Sequence, residues 1–558
     1  MFKMIIRDFL QNLKERSELD YTFPILLEQM NYSILKSAES SIGQPEYGKD
    51  IVALNENRSI LYIFQLKAGN DKDVNAKTCS GKNGIKESLQ QARDVEFPDS
   101  TIQGLNELPR KILLVHTGEL NNNYRPAFDG FIKREFIKNQ FERWDIYKLT
   151  ELYSKYMLNE YILTDSTQVR LLKKTLAFID VPENDFSHLQ IMLKTILSEN
   201  NKYKYLKFKK MIATLCVISH LILQYSEESN NLRPARDCLT FILLQVWGWI
   251  LEKKIEKNEN AIEEFLKLQS IHFKAIDAYV LKIIPIAEEQ SGLFNESGGY
   301  YEEIGYPLRC QEILSYIIYH LFFHVIFLNK KEDKEKITNY GIQLIETIIS
   351  NNTGCIRLLL DNHSITIILV VKLYQLLEEN DKIKRYIEML LNNLAMIKSS
   401  DDRLPEMKND IFSLIDFVAN GKRPASYSDK SSYLILIVFE LLVNYGTELE
   451  FNKYWKYLTK ELHLLTFYPP SDIIDNEHIL FQKELKEEGY TDVFEFQNEQ
   501  TKKEVDKKSD FQYLKDNIQN KKEKEIKFRT DEIGFLHLRI LAHIYYKTPF
   551  LPSDWRMH

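Results

Sequence analysis

The sequence predicts an α/β N-terminal domain followed by a much larger all-α region, and three observations carry that expectation. Between Tyr47 and Gly69, two runs rich in Ile, Val, Leu, Tyr and Phe flank the polar tetrad Asn55-Glu56-Asn57-Arg58, the pattern of a β-hairpin. From about Leu171 onward, segments such as FKKMIATLCVISHLILQY and IRLLLDNHSITIILVVKLYQLLEEN have helical rather than alternating periodicity. At 558 residues the chain is too long for one hydrophobic core. The expected division is 1–165, an α/β domain; 166–420, an all-α domain; and 425–558, mostly helical.

The elements of the first domain follow in order. Thr22-Phe23-Pro24 reads as a helix start with Pro24 in the first turn, which places Glu28 about one turn further in. In the hairpin, Asp50 opens the first strand while Gln65 and Lys67 close the second, so folding about the turn brings Asp50 back beside Gln65. Residues two apart on a strand share a face, so Gln65 and Lys67 are expected to point one way and Phe64 and Leu66 into the core. A helix is expected over Gly84–Arg93 and a strand over Lys111–Thr117. A further strand at Trp144-Asp145-Ile146-Tyr147 precedes a helix bearing Leu149 and Leu152.

A carboxylate, an amide oxygen and an ammonium that converge on one spot suit phosphodiester hydrolysis. That reaction needs a hard divalent cation held by a few oxygens, with positions left for water and phosphate. Asp50 supplies the anionic ligand, the Gln65 amide and the Leu66 carbonyl supply neutral ones, and Glu28 is the expected additional acid. Lys67 would hold the attacking water or offset charge that develops on the phosphate oxygens.

On these residues the N-terminal part, roughly the first 165 residues, resembles the PD-(D/E)xK, or restriction-endonuclease-like, nuclease superfamily. The form it is similar to is the Mrr-like variant, with Gln in the third motif and Gly48-Lys49 rather than Pro-Asp introducing the acid. The resemblance implies a mixed central sheet flanked by helices and a Mg²⁺ or Mn²⁺ cofactor. It also implies a polar residue near the catalytic lysine on the Gly84–Arg93 helix, with Gln90 favoured there. Gln65 removes a negative charge and weakens the metal site, so cleavage either proceeds alone or waits for a partner or bound DNA to complete it.

Composition bounds the partners. With 44% hydrophobic and 27% charged residues, the chain is of the ordinary soluble globular class. A net charge of −7 gives no general attraction to nucleic acid, so phosphate contacts would need a local basic face. Lys67, Lys82, Lys86, Arg93, Arg110 and Lys111 are the candidates, with Lys82, Lys86, Gln90 and Arg93 the expected nucleic-acid contacts. Five widely spaced cysteines without CxxC, and a start without a long apolar region, suggest reduced thiols and a cytoplasmic protein. The apolar stretch Ile313–Leu328 is too short to span a bilayer and reads as a buried helix, so no membrane association is expected. It carries His320 and His324 at i, i+4 without the intervening glutamate of zinc proteases, and hydrogen-bonded histidines in a packed helix are expected.

The helical region reads as successive antiparallel helices, as in a helical-repeat array though with no repeat of fixed period, and it has no phosphate-binding GxxxxGK[ST], serine elbow or paired-cysteine zinc site. Breaks are expected at Pro182-Glu183-Asn184, from Ser291-Gly292 to Tyr306-Pro307, at Asn420–Pro424 and after Tyr468-Pro469-Pro470. A Lys/Glu-rich run covers Thr501–Lys527. The functional expectation is a metal-dependent DNA endonuclease whose helical region recognises a trigger or protein partner, as in anti-phage defence or restriction systems. A dimer is expected because a double-strand break needs two sites. The alternatives are a catalytically degenerate nucleic-acid-binding scaffold and a ribonuclease.

Overall fold

The computed structural model describes residues 2–37, 47–80, 84–97, 104–157, 166–179, 181, 186–199, 202–327, 330–467, 475–482, 491–493, 509–521 and 527–548. Lys82, Pro182-Glu183-Asn184, Tyr468-Pro469-Pro470 and, within the Thr501–Lys527 run, residues 501–508 and 522–526 lie outside these. Contacts divide the chain into two units: Met1–Cys238 with Glu259–Ile271, and Leu239–Asn258 with His272–His558.

The first unit is built on a five-stranded mixed sheet in the order β1-β2-β3-β4-β5. β1 is Ser33–Lys36, β2 Ile51–Leu54, β3 Leu61–Lys67, β4 Arg110–His116 and β5 Phe141–Trp144. The hairpin forms as expected: β2 and β3 pair antiparallel, Ile51 opposite Phe64 and Leu54 opposite Leu61. Asn55 organises the turn, its side-chain oxygen accepting from the Ser59 and Ile60 N–H groups at 2.8 and 3.0 Å. β3, β4 and β5 run parallel. Parallel neighbours need crossover connections, and the helices Ile85–Asp94 and Arg125–Glu135 provide them.

Both faces of β3 are covered. On one, Ile63 joins Ile112 and Leu114 under Leu89, Ala92, Phe128 and Phe131. On the other, Phe64 packs edge-on against Phe23 at 5.4 Å and lies 5.8 Å from Trp144. The expected division into a core face and an open face is therefore replaced by two packed faces, and Gln65 is buried.

Three boundaries differ from expectation. The helix carrying Glu28 starts at Asp20, directly after a π-helical turn over Glu15–Leu19, so Pro24 lies inside it. The strand expected over Trp144–Tyr147 ends at Trp144. Asp145 then accepts hydrogen bonds from the Tyr147 and Lys148 N–H groups and starts the helix Ile146–Tyr156. Pro307 lies inside the helix Glu302–Phe327 rather than in a break.

The second unit is dominated by helices, among them Glu302–Phe327, Lys331–Asn351, Asn380–Asp401 and Tyr433–Tyr445. The helix Ile411–Asn420 ends where expected, with Gly421 at φ +61°. The unit is not purely helical: β6 (Ser431–Ser432), β7 (His463–Phe467) and β8 (Thr491–Val493) form a small sheet. Among the described residues one helical stretch, Glu296–Phe327, is long and apolar enough to cross a membrane, and 72% of its apolar window is buried within the fold.

Candidate active site

Hairpin register sets the site. The Asp50 N–H donates to the Phe64 carbonyl at 3.1 Å, one step beyond the last β2–β3 pair. The Asp50 side chain then reaches forward along β3. Its Oδ2 accepts from the Leu66 N–H at 2.6 Å and from Gln65 Nε2 at 2.9 Å. Within a strand residue the N–H and C=O lie on the same edge, so the Leu66 carbonyl is on the Asp50 side, past the end of β2. Gln65 is 3% exposed, and its Oε1 has no hydrogen-bond partner among the described residues.

Gly48 closes the back of this corner. It has φ +68°, and a Cβ there would lie 2.0 Å from the Ser88 carbonyl oxygen and 3.2 Å from Gln65 Oε1. Only glycine permits both the left-handed backbone and the close approach of the Ile85–Asp94 helix. Beside it, Lys49 is buried. Its Nζ is 3.4 Å from the Tyr47 and Gln91 carbonyls, and burial, with smaller contributions from Lys36 and Arg110, pushes its pKa down to about 8.

Lys67 reaches an acid, but not the expected one. Its Nζ lies 3.0 and 3.1 Å from the two carboxylate oxygens of Glu15, at the head of the π-helical turn. The Glu28 carboxylate is instead ion-paired with Lys267, which also contacts Glu264 at 3.3 Å. Asp50 thus meets Gln65 and the Leu66 N–H, Lys67 two residues along β3 pairs with Glu15, and Glu28 is engaged with Lys267. π-Helical turns are rare and concentrate at functional sites, but no Gly or Pro marks this one in the sequence.

The expected basic face is largely balanced by acids from elsewhere in the fold. Arg93 bonds Asp94 and Glu135, both at 2.6 Å, and Gln90 hydrogen-bonds the same Glu135. Lys111 pairs with Glu142 at 2.6 Å and Arg110 with Glu96 at 3.5 Å. Lys86 lies over the rings of Tyr124 and Phe131, each at 5.3 Å. Lys82 lies outside the described residues.

His116, opposite Lys67 across the β3–β4 pair, was not anticipated. Burial above all, then Arg143, pushes its pKa down to about 4. Because Arg143 Nη1 can only donate, at 3.2 Å to Nε2, the neutral ring donates from Nδ1 to the Lys72 carbonyl at 3.0 Å. It ties β4 to the segment following β3.

The Asp50 carboxylate, the Gln65 amide oxygen and the Leu66 carbonyl are all oxygen donors, a chemistry that suits Mg²⁺ or Mn²⁺. The orphaned Gln65 Oε1 fits such an ion, since a buried acceptor without a partner costs about 1–3 kcal/mol. Compared with models of protein families, with curated proteins and with solved structures, the chain matches none.

Proposed function

We propose that the first unit is a metal-dependent phosphodiesterase of the restriction-endonuclease-like kind, acting on DNA. The observation that carries this reading is that Asp50 bonds Gln65 and the Leu66 N–H at the end of one hairpin, with the Lys67–Glu15 pair on the next residue of the same strand. The mixed sheet with crossover helices on its parallel side supports it further. Asp50, Glu15, the Gln65 amide oxygen and the Leu66 carbonyl would hold the divalent cation. When bound, that ion neutralises phosphate charge and polarises the bond to be broken.

The protein's own groups account for the rest. The Leu66 N–H and Gln65 Nε2 fix the Asp50 carboxylate, so it meets its ligand without reorganisation. Lys67, anchored by Glu15, would supply a compact ammonium to orient water and to stabilise charge on the phosphate oxygens. With Arg93, Arg110 and Lys111 in ion pairs, the backbone of DNA would be held chiefly by other cations. The helical second unit, in this reading, recognises a trigger or protein partner.

The test is hydrolysis of plasmid DNA and of single-stranded RNA by the full chain and by Asp50→Ala, with Mg²⁺, Mn²⁺ or EDTA. Metal-dependent DNA cleavage lost in the variant supports the proposal. Cleavage of RNA alone would assign a ribonuclease, and equal cleavage by both proteins would overturn the site.

A further inference from the structure

The HLFFH helix carries a second group of ligand atoms, unrelated in chemistry to the first. His320 and His324 lie one turn apart on Glu302–Phe327, and their Nε2 atoms are 3.3 Å apart. Asp277, on Glu259–Glu288, places Oδ1 2.8 Å from His320 Nε2. The three ligand atoms all lie within 4.8 Å of one another.

Four ligands at zinc-to-nitrogen bond lengths around a tetrahedral ion are separated by roughly 3.3 Å. The two imidazole nitrogens already have that spacing. Their rings are also fixed before any ion arrives. Phe273 lies parallel to His320, with centroids 5.5 Å apart and planes 3° apart, and stands edge-on to His324 at 5.2 Å and 81°. Phe323 stacks on Phe273 at 3.8 Å and completes the wall. Exposure falls on the other side: the Asp277 side chain is 40% exposed and that of His320 10%, so the carboxylate edge faces solvent.

We propose that Asp277, His320 and His324 form a binding site for a divalent transition-metal ion, zinc above all. The ion would join the two helices and leave one coordination position to solvent. Two imidazoles and one carboxylate favour Zn²⁺, Co²⁺ or Ni²⁺ over Mg²⁺, which prefers oxygen alone. Leu321 stands where a zinc protease of the HExxH kind has its general base, so the motif supplies no acid for hydrolysis. The site is a clamp between Glu259–Glu288 and Glu302–Phe327.

The full chain, stripped with chelator and dialysed, is titrated with Zn²⁺ alone and with Co²⁺ alone, following metal content, the visible spectrum of Co²⁺ and the melting temperature. The wild type retains one ion per chain, and Zn²⁺ raises its melting temperature. Asp277→Asn and His324→Ala bind Zn²⁺ at least about tenfold more weakly and lose the thermal shift, while melting like the wild type without metal. Should His324→Ala prove poorly folded, Asp277→Asn decides, because its amide keeps the shape and a hydrogen bond to His320. Asp50→Ala retains the ion. Failure of the wild type to hold Zn²⁺ or Co²⁺, unchanged binding in Asp277→Asn, or loss of the ion in Asp50→Ala would each overturn the proposal. The result is independent of whether the first unit cleaves nucleic acid.

Discussion

The Asp50 cluster and the His320 cluster put ligand atoms together by opposite means. At the end of a hairpin the backbone is itself a source of ligands: β2 stops, β3 runs on, and the Leu66 amide and carbonyl stand at the open edge beside Asp50. Inside a helix the backbone groups are spent on one another, so ligands must be side chains stacked one turn apart. The strand-end site is therefore rich in oxygen and includes a cation, Lys67, whereas the helical one is rich in nitrogen. Position in the secondary structure thus sets which kind of ion each would suit.

The largest expected effect separates the two. Asp50→Ala removes the acceptor shared by Gln65 and Leu66 and should lower metal-dependent cleavage on the order of 10³-fold, while leaving Zn²⁺ uptake unchanged. Lys67→Arg should not restore a Lys67→Ala enzyme, because a planar fork cannot replace a compact ammonium. Steady-state cleavage assays check both, and an active Asp50→Ala protein would break the comparison.

Next in size is the contrast between two glutamates on the same N-terminal segment. Glu15→Gln should cost roughly 10²-fold in rate, since Glu15 alone of the two touches Lys67. Glu28→Gln should stay within about threefold of wild-type rate and instead lose about 1 kcal/mol of stability in urea unfolding, a partly exposed ion pair. The reverse ranking would return the acid's role to Glu28.

Gly48→Ala should lower stability by about 2 kcal/mol or more, through a strained positive φ and the clash with Ser88. Its Mg²⁺ dependence should weaken in parallel as Gln65 shifts, while the helical cluster keeps its ion. An unchanged unfolding midpoint would contradict the packing described.

The smallest effect is on acid stability. His116 has its pKa lowered to about 4 from 6.5, so the unfolded chain takes up its proton first as pH falls. Its contribution is complete above pH 6.5 and is lost as pH falls toward 4. His272, His363 and His537, each pushed down to about 3 by burial, act in the same direction. Urea midpoints should therefore decline below pH 6.5, and less steeply in His116→Gln.

Local pattern made the hairpin legible, because two apolar runs rich in Ile, Val, Leu, Tyr and Phe flank the polar turn Asn55–Arg58, and folding about that turn brings Asp50 beside Gln65. The ion pairs of Arg93 and Lys111 were not legible, since Glu135 and Glu142 arrive through tertiary packing. Glu15 was hidden for a backbone reason. The first helix, Phe2–Asn12, ends before Lys14, where the chain is extended, and the chain re-enters helix through a π-turn, with no residue in KERSEL that demands it. β1 and the two-residue β6 are too short to show a period of two.

The most direct measurement is the rate of plasmid cleavage in Mg²⁺ by wild type, Lys67→Ala and Glu15→Gln, with EDTA controls and matched thermal unfolding. The account predicts metal-dependent nicking or linearisation by the wild type, strongly reduced in both variants while their folding persists. Absence of cleavage by the wild type with either Mg²⁺ or Mn²⁺, or full activity in well-folded Lys67→Ala, would contradict it.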